Sequence, residues 1–309
     1  MGSSALYDCI VVGAGPAGLL AGTYLGRFRR RAIVIHDGES RARWIPRTRN
    51  VPGWPDGIAG ADLLARLEAQ LERYDVERIA GRVVAIEGKR GAFRLVEGTR
   101  TWQARRVILA TGVHDVVPDD LRRLWPLVES GHVRLCPVCD AFELCGKRIG
   151  VLVRGRRCAG EAAFLSSYSA SLVVFTHGEA PDAAVTRALQ DQNVRLETAA
   201  LAAVEAAGAC LDVGLEDGRT VQVDALYIGF GVEVYSGLAR RAGAQCDAEG
   251  YLLVDQRQQT SLPGVYAAGD VVQSLSQISV GFGQAAIAAS AINVSLNEEG
   301  VRAAPPAGA

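Results

Sequence analysis

Apolar residues along this chain fall into short continuous runs and helically spaced sets, and their alternation predicts a layered α/β protein. Tyr7–Val12 reads as a buried parallel strand. From Gly15 to about Arg27, Leu19, Leu20, Tyr24 and Leu25 recur at helical spacing, and Ala32–Ile35 is a second apolar run. After the loop Asn50-Val51-Pro52-Gly53-Trp54-Pro55, helical spacing resumes over Ala61–Tyr74 through Leu63, Leu64, Leu67 and Leu71. Short β-like runs follow at Val83–Ile86, Phe93–Val96 and Val107–Ala110. The order strand, helix, strand then repeats at Arg148–Val153, Glu161–Ser167 and Ser171–Phe175. Strands are predicted at Leu211–Leu215 and Ala225–Ile228, and a helix from about Gly283 to Leu296.

Two β-α-β units in 309 residues predict an α/β fold of two Rossmann-like three-layer domains, the second inserted into the first. The boundaries read as 1–115 with 246–309 for the outer domain and 116–245 for the insert, an ordinary domain size. Residues 303–309, with Pro305-Pro306, read as a disordered tail.

Charge narrows the classes of partner. Lys plus Arg against Asp plus Glu is 33 − 34 = −1, which offers no global field for nucleic acid or an anionic membrane. The clusters Arg29-Arg30-Arg31 and Arg41, Arg43, Arg47, Arg49 read as solvated surface charge; the alternative is that one or two meet a cofactor phosphate or a partner. Met1-Gly2-Ser3-Ser4 leads into a strand without a basic start or apolar export segment, and no apolar run reaches the length of a membrane span. The expected location is cytoplasmic. Seven cysteines, an odd number with one close pair, fit a cytosolic protein with one redox pair better than a secreted framework. Cys9, Cys158, Cys210 and Cys246 read as inert thiols, and Cys145 as packing or a third thiol. With four His and no second C-x-x-C, no metal site is expected.

Two motifs carry chemistry. In Gly13-Ala14-Gly15-Pro16-Ala17-Gly18, Gly13 permits a tight turn, Gly15 lets the backbone reach a pyrophosphate, and Gly18 lets the helix pack on the strand. The acidic residue that grips a ribose should end the second strand, where His36 stands with Asp37 next; either side chain can serve, and Asp37 ranks first. The second motif is Cys136-Pro137-Val138-Cys139-Asp140. Only a thiolate attacks a disulfide, so such a pair needs a group that takes and returns protons, and a carboxyl of raised pKa can do so. Asp140 is that candidate.

With Asn50-x-Pro52-Gly53, Ala110-Thr111-Gly112 and Gly264-Val265-Tyr266-Ala267-Ala268-Gly269-Asp270 followed by Gln277, the chain resembles the low-molecular-weight thioredoxin reductases and the related flavoprotein dithiol oxidases over nearly its whole length. The resemblance implies FAD, with its pyrophosphate on Gly13–Gly18, its ribityl chain on Asp270 and its ring near Asn50 and Gln277; Ala110, Thr111, Gly112 and Gly269 complete the cofactor set. It implies Cys139 on the flavin side, Cys136 as the interchange thiol, Asp140 as acid/base, and a homodimer.

The departures bear on NADPH. Where the inserted domain of the reductases carries a second glycine motif, this chain reads Val153-Arg154-Gly155-Arg156-Arg157-Cys158; after Val174, where 2′-phosphate-binding arginines belong, it reads Phe175-Thr176-His177-Gly178. A β-branched residue at the turn is expected to obstruct the pyrophosphate's path, so ordinary NADPH binding is predicted to be lost; Arg154, Arg156 and Arg157 read as exposed loop charge, the alternative being that they hold a phosphate in a different way. Ala141 stands where the family has Gly. Gly112–Pro118 is nearer the dithiol oxidases, although those carry His where Asp140 stands. Three functions remain: a thioredoxin-reductase-like enzyme acting on a thioredoxin-like protein and fed by NADPH or a ferredoxin-like donor; an oxidase of a small dithiol using O₂; and a flavin-binding redox sensor.

Overall fold

The structure, a computed structural model, describes residues 6–304. The described residues divide into two compact units: 6–43, 50–114 and 233–304, and 44–49 with 115–232.

The first unit is built on a seven-stranded sheet. Val76–Ala80, Ala32–His36, Leu6–Val12 and Arg100–Leu109 run parallel in that order, and Ala92–Glu97 and Ala85–Lys89 continue antiparallel. Arg100–Leu109 is long enough to change neighbours: Arg100–Ala104 pair with Phe93–Glu97, whereas Val107–Leu109 pair with Val265–Ala267. Helices Pro16–Arg27, Gly60–Leu71 and Ile278–Glu298 pack on one face. On the other face, Ile10, Ile33, Leu95 and Val107 meet Leu238, Ala239, Ala244 and Leu252 in one core. That packing sets the chain's return to this unit at 233, ahead of the expected 246.

Ile278–Glu298 starts ahead of the predicted Gly283, and contrary to the sequence reading it is long and apolar enough to cross a membrane by length and composition. Here Gly281, Ala285, Ala288, Ile292 and Leu296 bury its inner face, and it packs on Pro16–Arg27 as a core helix. Two arginines tie the C-terminal end down. Arg30, expected in solvent, is buried and bonds Asn293 Oδ1 at 2.8 Å and the Val301 carbonyl at 2.8 Å. Arg106, also buried, donates to Ser295 Oγ at 2.9 Å and pairs with Glu299 at 2.7 Å. The predicted tail is ordered at Ala304, whose N–H donates to the Arg29 carbonyl at 2.9 Å; residues 305–309 lie outside the described residues.

The second unit has three layers. Its parallel sheet runs Arg195–Glu197, Leu172–Phe175, Ile149–Leu152, Ala225–Ile228, Val133–Arg134. Helices Arg157–Leu165 and Ala183–Asp191 cover one face, with Val151, Cys158, Ala162, Val174 and Tyr227 between. A three-stranded antiparallel sheet of Leu201–Ala207, Cys210–Leu215 and Thr220–Val223 covers the other, enclosing Val173, Phe175, Leu226 and Ile228. Along Ala225–Ile228 alternate residues thus feed different cores, as a strand buried on both faces requires. The excursion 44–49 belongs to this unit, where the Trp44 ring stacks on Trp125 at 5.3 Å.

Candidate functional site

In the first unit the strand Leu6–Val12 ends at its carboxyl edge in Gly13, which holds φ +111°. Only glycine fits there: a Cβ would lie 2.7 Å from the Ala110 carbonyl carbon. Gly18 is equally closed, because its Cβ would lie 2.9 Å from the Gly13 carbonyl carbon and 3.2 Å from Ala110 Cβ. Gly15 is open. Its Cβ would meet nothing nearer than Ser40 Oγ at 3.5 Å, and it is the N-cap of Pro16–Arg27 with no side chain capping the helix. A three-residue turn (13–15) therefore presents free helix N–H groups to open space, the arrangement that receives a phosphate.

The distant half of the motif set meets this turn. Gly269, at φ +83°, sits so close to the helix start that its Cβ would lie 3.0 Å from Ala17 Cβ, and its N–H donates to Gln284 Oε1 at 2.8 Å. Beside it the Asp270 carboxylate lies 3.7 Å from Arg41 Nη1, so Arg41 belongs to the site rather than to bulk solvent. Asn50 Nδ2 donates to Gln277 Oε1 at 3.3 Å, and Ser279 Oγ donates to the Asn50 carbonyl at 3.0 Å, bringing together two residues 227 apart in sequence. Ala110 donates its N–H to the Val12 carbonyl at 2.8 Å, Thr111 Oγ1 donates to the Tyr235 carbonyl at 2.8 Å, and Gly112 adopts φ +67°. His36 is half-buried at the end of its strand. Asp37 is exposed, with Oδ1 accepting from Glu39 N–H at 3.2 Å. Pro16 is the first helical residue, suited by its fixed φ and missing N–H.

In the second unit Cys136 and Cys139 form a disulfide. Cys136 is the extended N-cap of the short helix Pro137–Asp140, and Cys139 N–H donates to the Cys136 carbonyl at 3.0 Å, so Pro137 at the first helical position folds the pair into one turn. Val138 and Phe142 beside the pair are exposed. Asp140 is held on both carboxyl oxygens: Tyr227 Oη donates to Oδ1 at 2.6 Å, and Arg134 Nη1 lies 3.2 Å from Oδ2. Burial pushes the Asp140 carboxyl above the ordinary carboxylate range, against the opposing pull of Arg134 and the Tyr227 hydrogen bond. Arg134 and Tyr227 were missed in the sequence. Their signals are a charge inside the apolar run Val133–Leu135 and a phenol in a buried strand, since a buried Tyr hydroxyl finds a partner.

The second turn of this unit differs from the first in a way the sequence reading misassigned. Val153 does not obstruct the turn, because its side chain is fully buried in the core beside Cys158. What changes is the backbone. The turn has four residues (153–156), its positive φ moves to Gly155 at +59°, and the helix Arg157–Leu165 starts from Arg156. Arg154 is engaged within the fold, donating to the His177 carbonyl at 3.2 Å, lying 3.5 Å from Glu179, and sitting over the Phe230 ring at 5.4 Å. His177 stands at the strand end expected to hold arginines. Its Nδ1 accepts from Leu201 N–H at 3.0 Å, so the proton is on Nε2, which faces Asp120 at 2.6 Å. Cys158 is a buried thiol raised by burial.

The sequence profile of the pyridine nucleotide-disulphide oxidoreductases matches residues 7–285. A thioredoxin reductase of Listeria monocytogenes is 27% identical over 300 residues, covering 92% of this chain and 92% of its own length. Among solved structures, HlmI superposes with a TM-score of 0.85 at 28% identity, over 96% of this chain and 94% of its own. An oxidoreductase from Agrobacterium tumefaciens superposes with a TM-score of 0.81 at 30% identity, over 95% and 99%.

Proposed function

The chain belongs to the pyridine nucleotide-disulphide oxidoreductase family, and we propose that it is an FAD-dependent dithiol/disulfide oxidoreductase of the thioredoxin-reductase type. The observation that carries the reading is the Cys136–Cys139 disulfide beside a carboxyl of raised pKa, in a chain whose other unit keeps an open phosphate cradle. The cradle supports FAD: Gly13, Gly15, Pro16, Ala17 and Gly18 would hold its pyrophosphate, and Asp270, with Gly269, Asn50, Gln277 and Ala110–Gly112, the rest. His36 or Asp37 would meet the ribose. When bound, FAD stores the two electrons that reduce the Cys136–Cys139 disulfide.

With the pair reduced, the Cys136 thiolate attacks a substrate disulfide. Its S–S bond breaks, a mixed disulfide forms, and the departing thiolate takes a proton from Asp140. Cys139 then attacks the Cys136 sulfur, which releases the second substrate thiol and re-forms the Cys136–Cys139 bond. Run backwards, the same steps oxidise a dithiol and return its two electrons to the protein. The substrate class is a thioredoxin-like protein or a small disulfide, handled by a cytoplasmic homodimer. Oxidation of a small dithiol with O₂ as acceptor is the second reading, favoured by Gly112–Pro118.

Three features of the turn 153–156 and its surroundings support the loss of ordinary NADPH binding. The glycine-type φ at the first position is absent, Arg154 is held by Glu179 and Phe230, and His177 is closed by Asp120 and Leu201. Each paired phosphate contact contributes about 1.5–3 kcal/mol, so losing two weakens binding roughly a hundredfold or more. A dithiol or a reduced ferredoxin-like protein is the donor this favours. Anaerobic stopped-flow tests both parts: fast flavin bleaching by a dithiol and slow, unsaturable bleaching by NADPH are expected. Saturable bleaching by micromolar NADPH would overturn the donor assignment, and a colourless protein that ignores added FAD would overturn the function.

A further inference from the structure

We propose that Arg134 and Tyr227 are positioning residues that clamp the Asp140 carboxyl group and decide which of its oxygens carries the working proton; the proposal rests on the acid/base role given to Asp140 above. The clamp follows from strand register. Val133–Arg134 and Ala225–Ile228 are neighbouring parallel strands, and Tyr227 is the register partner of Arg134, so the two side chains leave the sheet on the same face. Asp140, the last residue of the helix Pro137–Asp140, is received between them. Tyr227 Oη donates to Oδ1 at 2.6 Å, Arg134 Nη1 approaches Oδ2 at 3.2 Å, and the same nitrogen donates to the Asp140 carbonyl at 3.1 Å.

The two partners are not equivalent. A guanidinium has donors and no acceptor, so a proton on Oδ2 would find no acceptor in Arg134 and would weaken its bond. A phenol both donates and accepts. When Oδ1 is protonated, the Tyr227 hydroxyl can turn and accept from it, so this partner serves both charge states. Burial and the adjacent Asp140 charge push the Tyr227 phenol above its usual range, so it stays protonated throughout. The proton exchanged with a thiol is therefore carried on Oδ1. Glu143 also acts on Asp140, its negative charge opposing ionisation, and Glu143 itself lies 3.5 Å from Arg49. Among the described residues Arg134 Nε is buried without a hydrogen-bond partner, while Nη1 is held by both the carboxyl and the carbonyl of Asp140.

The test follows the rate at which dithiothreitol opens the Cys136–Cys139 disulfide of the FAD-loaded protein under argon, from pH 5 to 9, by rapid alkylation and mass measurement. As base for the incoming thiol, Asp140 must be ionised, so its pKa sets the acidic limb. Tyr227→Phe removes a hydrogen bond that is stronger to the charged carboxylate than to the neutral acid and should move that limb up by about one pH unit. Arg134→Met removes a full charge and should move it further, by about 1–3 units, while Arg134→Lys should bring it part of the way back. Asp140→Asn should abolish the limb. If Tyr227→Phe and Arg134→Met bind FAD, fold, and leave the limb in place while Asp140→Asn abolishes it, the clamp is refuted and the acid/base role stands. If Asp140→Asn keeps the wild-type limb, the acid/base role falls and the clamp with it. Tyr227→Phe changes no shape, so the test holds even where Arg134→Met fails to fold.

Discussion

Gly15 and Gly18 lie three residues apart in one motif, yet replacing them should damage different properties. In Gly18→Ala the new Cβ would lie 2.9 Å from the Gly13 carbonyl carbon, where ordinary contact begins at 3.4 Å, so backbone on the helix or the strand must move by half an ångström or more. Overpacking costs about 1–3 kcal/mol, with the upper end expected when the obstacle is main chain. In a domain of this size each kcal/mol lowers Tm by about 2–4 °C, so roughly 6–12 °C should be lost. Gly15→Val meets only Ser40 Oγ at 3.5 Å on backbone of ordinary φ, and loses only the difference between Gly and an apolar N-cap, about 1 kcal/mol or 2–4 °C. Its side chain instead occupies the space over the helix N–H groups, so bound FAD should fall from about one per chain to near none. Circular-dichroism melts of the flavin-free proteins, with flavin absorbance per chain on the purified ones, separate the two effects. The reasoning fails if Gly18→Ala melts with the wild type, or if Gly15→Val melts as low as Gly18→Ala or keeps its flavin.

Cys139→Ser, reduced and offered a disulfide substrate, should accumulate a mixed disulfide on Cys136, whereas Cys136→Ser should not; adducts on Cys139 alone would reverse the assigned roles. Arg30→Ala strands Asn293 Oδ1 and the Val301 carbonyl and should cost about 2–4 kcal/mol of stability, read as a lower urea midpoint; an unchanged midpoint would return Arg30 to the solvated class. Arg148 hydrogen-bonds Asp224 at 2.7 Å and holds its carboxyl well below the usual carboxylate range, so the stabilisation is present above the unfolded pKa of about 4 and lost as pH falls below it. Asp224→Asn should then cost about 1–2 kcal/mol at pH 7, discounted for the half-exposed arginine, and progressively less at pH 3 and below; an equal loss at both pH values would contradict this.

The elements legible in the linear chain are those whose geometry closes within a few residues. Gly13, Gly15 and Gly18 span one turn, and Cys136 to Cys139 another, so spacing alone prescribes the phosphate cradle and the disulfide. The strands Leu6–Val12 and Leu172–Phe175 were equally plain, because strands buried on both faces carry near-continuous apolar runs, here Cys9–Val12 and Leu172–Phe175. Val76–Ala80 and Ala183–Asp191 were not: one is an edge strand with Glu77 and Arg78, the other a helix with two buried residues, Val185 and Leu189, and in both packing outweighs local pattern. Val83–Ile86 was placed early, since pairing with Ala92–Glu97 starts only at Ala85.

Side-chain direction and long-range register lay beyond the chain's linear pattern. Val153 read as an obstacle because its letter replaces a glycine, but the core takes its side chain and the backbone alone carries the change. Arg30 read as surface charge because it stands in the run Arg29-Arg30-Arg31, until the last helix supplies its acceptor Asn293 from 263 residues away. Arg134, Asp140 and Tyr227 become one group only when Val133–Arg134 takes its place beside Ala225–Ile228, and the order of strands in a sheet is settled by the packing of whole layers. Local spacing specified which chemistry the chain carries; the tertiary structure decided which charges surround it, because electrostatics and burial depend on neighbours in space.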